Sequence, residues 1–89
     1  MDLPETVVTD LKARLRRIEG QVRGLERMLD EGRECREIVT QVAAANHALE
    51  QVGFRLVTAG IKYCLVDPEA ASAEGYRLDE VEKLFLRLT

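Results

Sequence analysis

Cys35 and Cys64 are the residues of this chain best suited to chemistry, and they stand 29 positions apart. A thiolate is both a nucleophile and a ligand for soft metal ions. The residues between them read as one long amphipathic helix. At ~1.5 Å of rise per residue the two thiols are roughly 43 Å apart along its axis. A disulfide needs Cα atoms within about 7 Å, so two thiols on one straight helix never meet. They can meet if a second copy packs antiparallel, with Cys35 of one chain beside Cys64 of the other. Residues whose numbers sum to 99 then face one another, and the two-fold axis passes near Leu49 and Glu50. Either thiol alone reads more readily as a small buried hydrophobe. Their placement at the two ends of one helix favours an intersubunit pair that occurs twice per dimer.

The other candidate ligands are sparse. His47, the one histidine, is ~18 Å of helix rise from Cys35, too far to share a ligand sphere, and reads as a helix-surface residue. One turn before Cys64 an imidazole could join the thiolates around a soft metal, but the chain has Gly60 there. Glycine offers no donor, costs about 1 kcal/mol of helix propensity relative to alanine, and leaves room beside the thiol. Without a nucleophile–base pair or a phosphate-cradling glycine loop, the chain does not read as an enzyme.

Positioning these residues falls to helices. The chain has 89 residues, 46% hydrophobic and 33% charged, with four aromatic residues and no tryptophan. Such a chain makes one small domain, spanning residues 1–89, whose monomeric core is thin. No run approaches the length of a membrane span and no signal peptide opens the chain, so a cytoplasmic protein with reduced thiols is expected. Helix one starts near Pro4, which suits a first turn. Leu11, Leu15, Ile18, Val22, Leu25 and Leu29 repeat at spacings of four and three, a heptad pattern. Gly32 reads as its C-terminal cap. Helix two begins around Arg33 to Cys35 and repeats the pattern at Ile38, Val42, Ala45, Leu49, Val52 and Leu56. A second stripe, Val39, Val57, Ile61 and Cys64, widens its apolar face, so helix one covers part and another chain must cover the rest. Asp67 and Pro68 end it, and Pro68 to Gly75 reads as a loop. A short third helix buries Leu78, Val81, Leu84, Phe85 and Leu88. The fold class is all-α, and the chain reads as an obligate oligomer.

Charge is distributed unevenly. Lys12, Arg14, Arg16, Arg17, Arg23 and Arg27 oppose only Glu19 and Glu26, which leaves residues 11–27 at +4 although the whole chain is at −3. A concentrated basic stripe can hold a polyanion despite an acidic total, although a solvated helix face fits the charges equally well.

Together these residues resemble a known family. Arg14-Leu-Arg-Arg-Ile-Glu-Gly-Gln-Val-Arg-Gly24, then Arg27-Met28, Cys35, Thr40-Gln41, Ala44 and Cys64, are similar to the copper-sensitive operon repressors, the CsoR/RcnR-type regulators. The likeness covers nearly the whole chain, and its Arg-Ile-Glu-Gly-Gln-Val-Arg-Gly segment is highly specific. It implies a three-helix subunit, an antiparallel dimer with a four-helix-bundle core, and pairing of dimers into a tetramer. It also implies repression by binding double-stranded operator DNA without a helix-turn-helix, relieved when an inducer binds between subunits. In the copper sensors a cysteine at the start of helix two joins a histidine and a cysteine of the partner. Carried over, these are Cys35, Gly60 and Cys64, of which the histidine is missing. That departure, with the Ala59-Gly60 pair and the tail Glu80-Val-Glu-Lys-Leu-Phe-Leu-Arg-Leu88, resembles the persulfide-responsive branch, the CsoR-like sulfurtransferase repressors.

The resemblance implies a repressor that senses reactive sulfur species through Cys35 and Cys64 of the partner, with no metal or other cofactor expected and with Cys35 and Cys64 as the ligands if Cu(I) binds. The alternatives are a Cu(I)-responsive repressor using the same two thiolates, formaldehyde sensing as a weaker third, and an inert helical oligomerisation module. The expected DNA contacts are Arg14, Arg16, Arg17 and Arg23, then Lys12, Arg27 and Gln21, with Gln51 and Arg55 as further polar contacts. Arginine suits phosphates and guanine edges alike.

Overall fold

Among the described residues of the computed structural model four helices follow one another: α1 (Glu5–Asp30), α2 (Cys35–Val66), α3 (Pro68–Ala73) and α4 (Leu78–Arg87). It describes residues 2–88, so both ends of the expected 1–89 domain, Met1 and Thr89, lie outside the described residues. No strand occurs among the described residues.

Local chemistry sets the helix ends. Pro4 precedes α1, and its carbonyl accepts from the Val7 and Val8 amides at 3.0 and 3.1 Å. At the other end Gly32 adopts φ +65°, a left-handed conformation that costs glycine nothing. Its amide donates to Leu29 O at 3.2 Å and the next amide, of Arg33, donates to Met28 O at 3.0 Å. This 5→2 and 6→1 pair is a Schellman ending.

The stretch from Pro68 to Gly75 is not the loop its composition suggests. Asp67 caps a new helix by accepting from the Ala70 amide at 3.2 Å, Pro68 supplies a fixed φ at the first position, and Glu69 complements the dipole. Gly75, at φ +84°, closes α3 with a second Schellman pair, Gly75 N–H to Ser72 O and Tyr76 N–H to Ala71 O. The expected third helix is therefore the fourth.

The heptads divide cleanly. Leu11, Ile18 and Val52 are buried where α1 meets α2, and Leu25, Ile38 and Ala45, on the same seven-residue spacing, are half-buried. The alternate positions, Leu15, Val22 and Leu29 on α1 and Val42, Leu49 and Leu56 on α2, stay exposed. One hairpin thus forms half of a bundle. The Cα radius of gyration is 17.0 Å, against roughly 12 Å for a compact chain of this length.

A second core sits at the far end of α2. Val57, Cys64, Ala71 and Val81 bury one another, with Ile61, Tyr63, Tyr76 and Leu88 around them. The chain's own α3 and α4, not a second chain, cover this part of the wide apolar face. Only Val39, 60% exposed, remains open from that stripe. The Tyr63 and Tyr76 rings meet edge to face with centroids 6.0 Å apart. Loss of solvent around the Tyr63 phenol pushes its pKa up, and a hydrogen bond with Glu74 pushes the same way. Of the expected buried side of α4, Val81 is buried and Leu88 half-buried, whereas Leu78, Leu84 and Phe85 remain exposed. Phe85 still touches Phe54, with ring centroids 5.4 Å apart.

Candidate sensing thiols and nucleic-acid interface

α2 is continuous from Cys35 to Val66, so the two thiols are held at opposite ends of one rod. Both are free. Cys35 is the first residue of the helix and is exposed, on the same seven-residue spacing as the open positions Val42, Leu49 and Leu56. Within one chain it does not turn inward. Glu34 caps the helix beside it, accepting from the Arg36 amide at 2.8 Å. Arg33 is bound to Glu37 at 2.8 Å and Glu31 at 3.6 Å. The hydrogen bond to Glu37 pushes the guanidinium pKa further above its ordinary value. Arg33 is thus committed to carboxylates; Arg36 has no ion pair among the described residues.

Cys64 has the opposite setting: it is 9% exposed, inside the cluster of Val57, Ala71 and Val81. Gly60 does not leave empty space beside it. A Cβ built on Gly60 would lie 3.4 Å from Cγ1 and 3.6 Å from Cγ2 of Val81, so α4 fills that room. From sequence Val81 has only a place in the core; its seven-residue spacing from Leu88, matching Gly53 to Gly60, is the signal that could have revealed the seat. Among the described residues no cluster of three or more His, Cys, Asp or Glu side chains is placed to hold a metal within one chain. His47 is exposed, far from both thiols.

The basic residues of α1 separate into engaged and free groups. Arg14 is half-buried and donates from Nε to both carboxylate oxygens of Asp10, at 3.2 and 3.1 Å. Arg55 reaches the same carboxylate at 3.7 Å, which ties α1 to α2. Arg23 pairs with Glu19 at 3.9 Å in the open, an interaction of small worth. Lys12, Arg16, Arg17 and Arg27 are exposed and have no ion pair among the described residues. Arg17, Gln21 and Arg27 share a groove of about 630 Å³ with Gly20, Gly24, Arg33 and Gln41. Arg33 lies beyond the stripe expected from the sequence. In this groove the Gln21 Oε1 is buried and lacks a hydrogen-bond partner, a state that costs about 1–3 kcal/mol.

Known proteins share this architecture. The copper-sensing repressor CsoR with Cu(I) from Geobacillus thermodenitrificans superimposes with a TM-score of 0.80 at 29% identity, over 98% of this chain and 91% of that one. The nickel-responsive transcriptional regulator InrS gives 0.69 at 30% identity, over 99% and 92%. In sequence, the copper-sensing repressor RicR of Mycobacterium tuberculosis is 39% identical over 62 residues, covering 70% of this chain but 65% of its own length. The copper-sensing repressor CsoR of Bacillus subtilis is 32% identical over 76 residues, 85% of this chain and 75% of that protein. The family model of metal-sensitive transcriptional repressors matches residues 8–87, nearly all of both cores and both thiols, and the chain belongs to that family.

Proposed function

We propose that this chain is a cytoplasmic DNA-binding repressor that forms antiparallel dimers, paired into tetramers, and releases operator DNA when reactive sulfur modifies Cys35 and the partner's thiol at position 64. The observation that carries this reading is the open stripe of α2. Cys35, Val42, Leu49 and Leu56 are exposed at seven-residue intervals, and the apolar three are symmetric about Leu49. Two stripes crossing antiparallel at Leu49 pair residues that sum to 98, within one residue of the sum of 99 that sets the thiols opposite each other. The same packing hides side chains that a lone chain leaves in water.

The chemistry balances without a cofactor. The Cys35 thiolate attacks a sulfane sulfur of an inorganic polysulfide, and the shortened sulfide leaves with the electron pair of the broken S–S bond. The partner's thiolate then attacks Cys35 Sγ and expels hydrosulfide, leaving a disulfide; attack on the added sulfur of a longer chain leaves a longer bridge. Two thiols are oxidised and the polysulfide is reduced. The exposure of Cys35 and the enclosure of Cys64 support this order. The switch is stoichiometric, so the chain is not an enzyme. DNA is held by Lys12, Arg16, Arg17 and Arg27, with Gln21 and Arg23 beside them, while Arg14 braces α1.

Copper supports a second reading, because RicR and both CsoR relatives are copper-sensing. Two thiolates from different chains suit Cu(I) chemically, but Gly60 supplies no third donor and Val81 stands where one would project. In that reading Cys35 and the partner's Cys64 hold the ion.

The test is intact-protein mass spectrometry without reductant, after separate exposure to polysulfide and Cu(I), alongside operator-binding titrations. Covalent dimers with added sulfur, and DNA released by polysulfide alone, are expected. The Cys35→Ala variant should bind DNA and fail to respond. DNA release by Cu(I), with polysulfide ineffective, would replace the sulfur reading with the copper one.

A further inference from the structure

The backbone of α4 runs close to that of α2 alone, and α4 meets α3 only where Val81 joins the buried cluster that includes Ala71. Among the described residues no ion pair fastens it; the one pair at its start, Arg77 with Asp79 at 3.4 Å, is local. Its N-terminus has no side-chain cap. A pair of apolar knobs in two glycine notches packs it on α2. Val81 sits over Gly60, and Leu88 sits over Gly53, where a Cβ would come within 2.7 Å of Leu88 Cδ2. Both knobs and both notches are seven residues apart, so the helices run antiparallel with one knob per notch. Phe85 against Phe54 adds one ring contact between them.

The first knob belongs to the same buried cluster as the Cys64 thiol. Val81 is 2% exposed and Ala71 1%, and together with Val57 they enclose Cys64. A close-packed cluster does not admit further atoms without displacing something. α1 and α2 are long and brace one another, and α3 is tied at both ends by the Asp67 cap and the Gly75 and Tyr76 amides, whereas α4 has no side-chain cap and rests on α2. α4 is therefore the part that yields.

We propose that α4 is a gate over Cys64: the thiol reacts only when Val81 leaves its notch at Gly60, and a group larger than hydrogen on Cys64 Sγ keeps the gate from closing. The proposal deepens the sensor reading, and its importance to regulation rests on that reading. It gives the thiols an order that distance alone does not, with Cys35 open and Cys64 reached through a local opening. It also turns a chemical event at one thiol into the release of a whole helix. The released helix exposes Gly53, Phe54 and Gly60, beside the Arg55–Asp10 contact that ties α2 to α1.

The gate is tested on the reduced full-length protein by timed alkylation with iodoacetamide, each thiol followed by peptide mass spectrometry. Val81→Ala removes the knob, and Gly60→Leu pushes it up from below while leaving both thiols in place. Each should speed Cys64 alkylation by at least about tenfold and change Cys35 by less than about twofold, as expected when reaction passes through an opening whose population the variant raises. Circular dichroism checks that helix content is kept. In a Cys35→Ser chain alkylated at Cys64, the amides of 78–87 should lose hydrogen-exchange protection while those of α1 keep theirs. Unchanged Cys64 rates in both variants, or unchanged α4 protection after alkylation, would overturn the gate. Neither readout uses DNA or polysulfide, so failure here leaves the sensor reading to its own titration, and failure there leaves the gate intact.

Discussion

Val81 and Gly60 pack against each other: a Cβ added to Gly60 would already be in van der Waals contact, at 3.4 Å from Val81 Cγ1. The missing donor at position 60 and the branched side chain at position 81 form one packing solution. Restoring a histidine at 60 should not by itself build a three-donor copper site. Gly60→His alone is expected to gain less Cu(I) affinity than it would without Val81, because its imidazole must first push α4 open. The double variant Gly60→His/Val81→Ala should gain at least about tenfold in Cu(I) affinity, or about 1.4 kcal/mol. Competition against a Cu(I) chelator measures both; equal affinities in the two variants would mean that displacing Val81 costs nothing.

The open stripe should control assembly. Leu49 is 52% exposed in one chain and lies at the proposed two-fold axis, where each chain buries its copy against the other. Burying a leucine is worth roughly 1.5–3 kcal/mol, and the axis counts it twice. Leu49→Lys puts two like charges there instead. Its dimer dissociation constant should rise by at least about a hundredfold, seen by sedimentation velocity across a dilution series. Leu25→Lys, aimed at the packing of α1 on α2, should instead lower helix content at every concentration.

The heptads were legible because a seven-residue period does not depend on which partner covers it. Which half of each heptad is covered within the chain was not legible: Leu11 and Leu15 look alike in sequence, yet one is buried and the other exposed. Pro68 to Gly75 misled because proline, alanine and glycine in a short stretch read as a loop when the caps at Asp67 and Gly75 are not weighed together. Cys35 and Cys64 stood out by number and spacing. Their unlike settings did not, since the cluster around Cys64 draws on α3 and α4, whose docking depends on two glycines that pattern reading treats as helix weaknesses. Arg14 looked equal to Arg16 and Arg17 until Asp10, one turn earlier, claimed it.

Mixing single-thiol chains should reveal the intersubunit pair. Cys35→Ser and Cys64→Ser each retain one thiol, and in a homodimer of either the remaining thiols lie at opposite ends of the α2 pair. Polysulfide should therefore cross-link neither variant alone. After the two are unfolded together and refolded, mixed dimers carry one Cys35 facing one Cys64, and about half the dimers should become covalent, as random pairing of equal amounts gives. Non-reducing electrophoresis reads the result. Cross-linking of either variant alone would place like thiols together and reject the antiparallel register.

The arginines of α1 should separate by salt dependence. Arg16 and Arg17 are exposed and without an ion pair among the described residues, so each is free to neutralise a phosphate. Arg14 is half-buried against Asp10, and Arg55 shares that carboxylate. Replacing Arg16 or Arg17 with alanine should weaken operator binding at low salt. It should also flatten the slope of log K against log salt by about 1 for every phosphate that each bound subunit no longer neutralises. Thermal stability should hardly change, since neither side chain supports the fold. Arg14→Ala should do the reverse, leaving the slope nearly intact and lowering stability by roughly 1 kcal/mol, because Asp10 is left without its partly screened partner. Fluorescence anisotropy across a salt series, with thermal melts of the same samples, separates the two classes. A slope change in Arg14→Ala as large as in Arg17→Ala would move Arg14 from brace to DNA-binding residue.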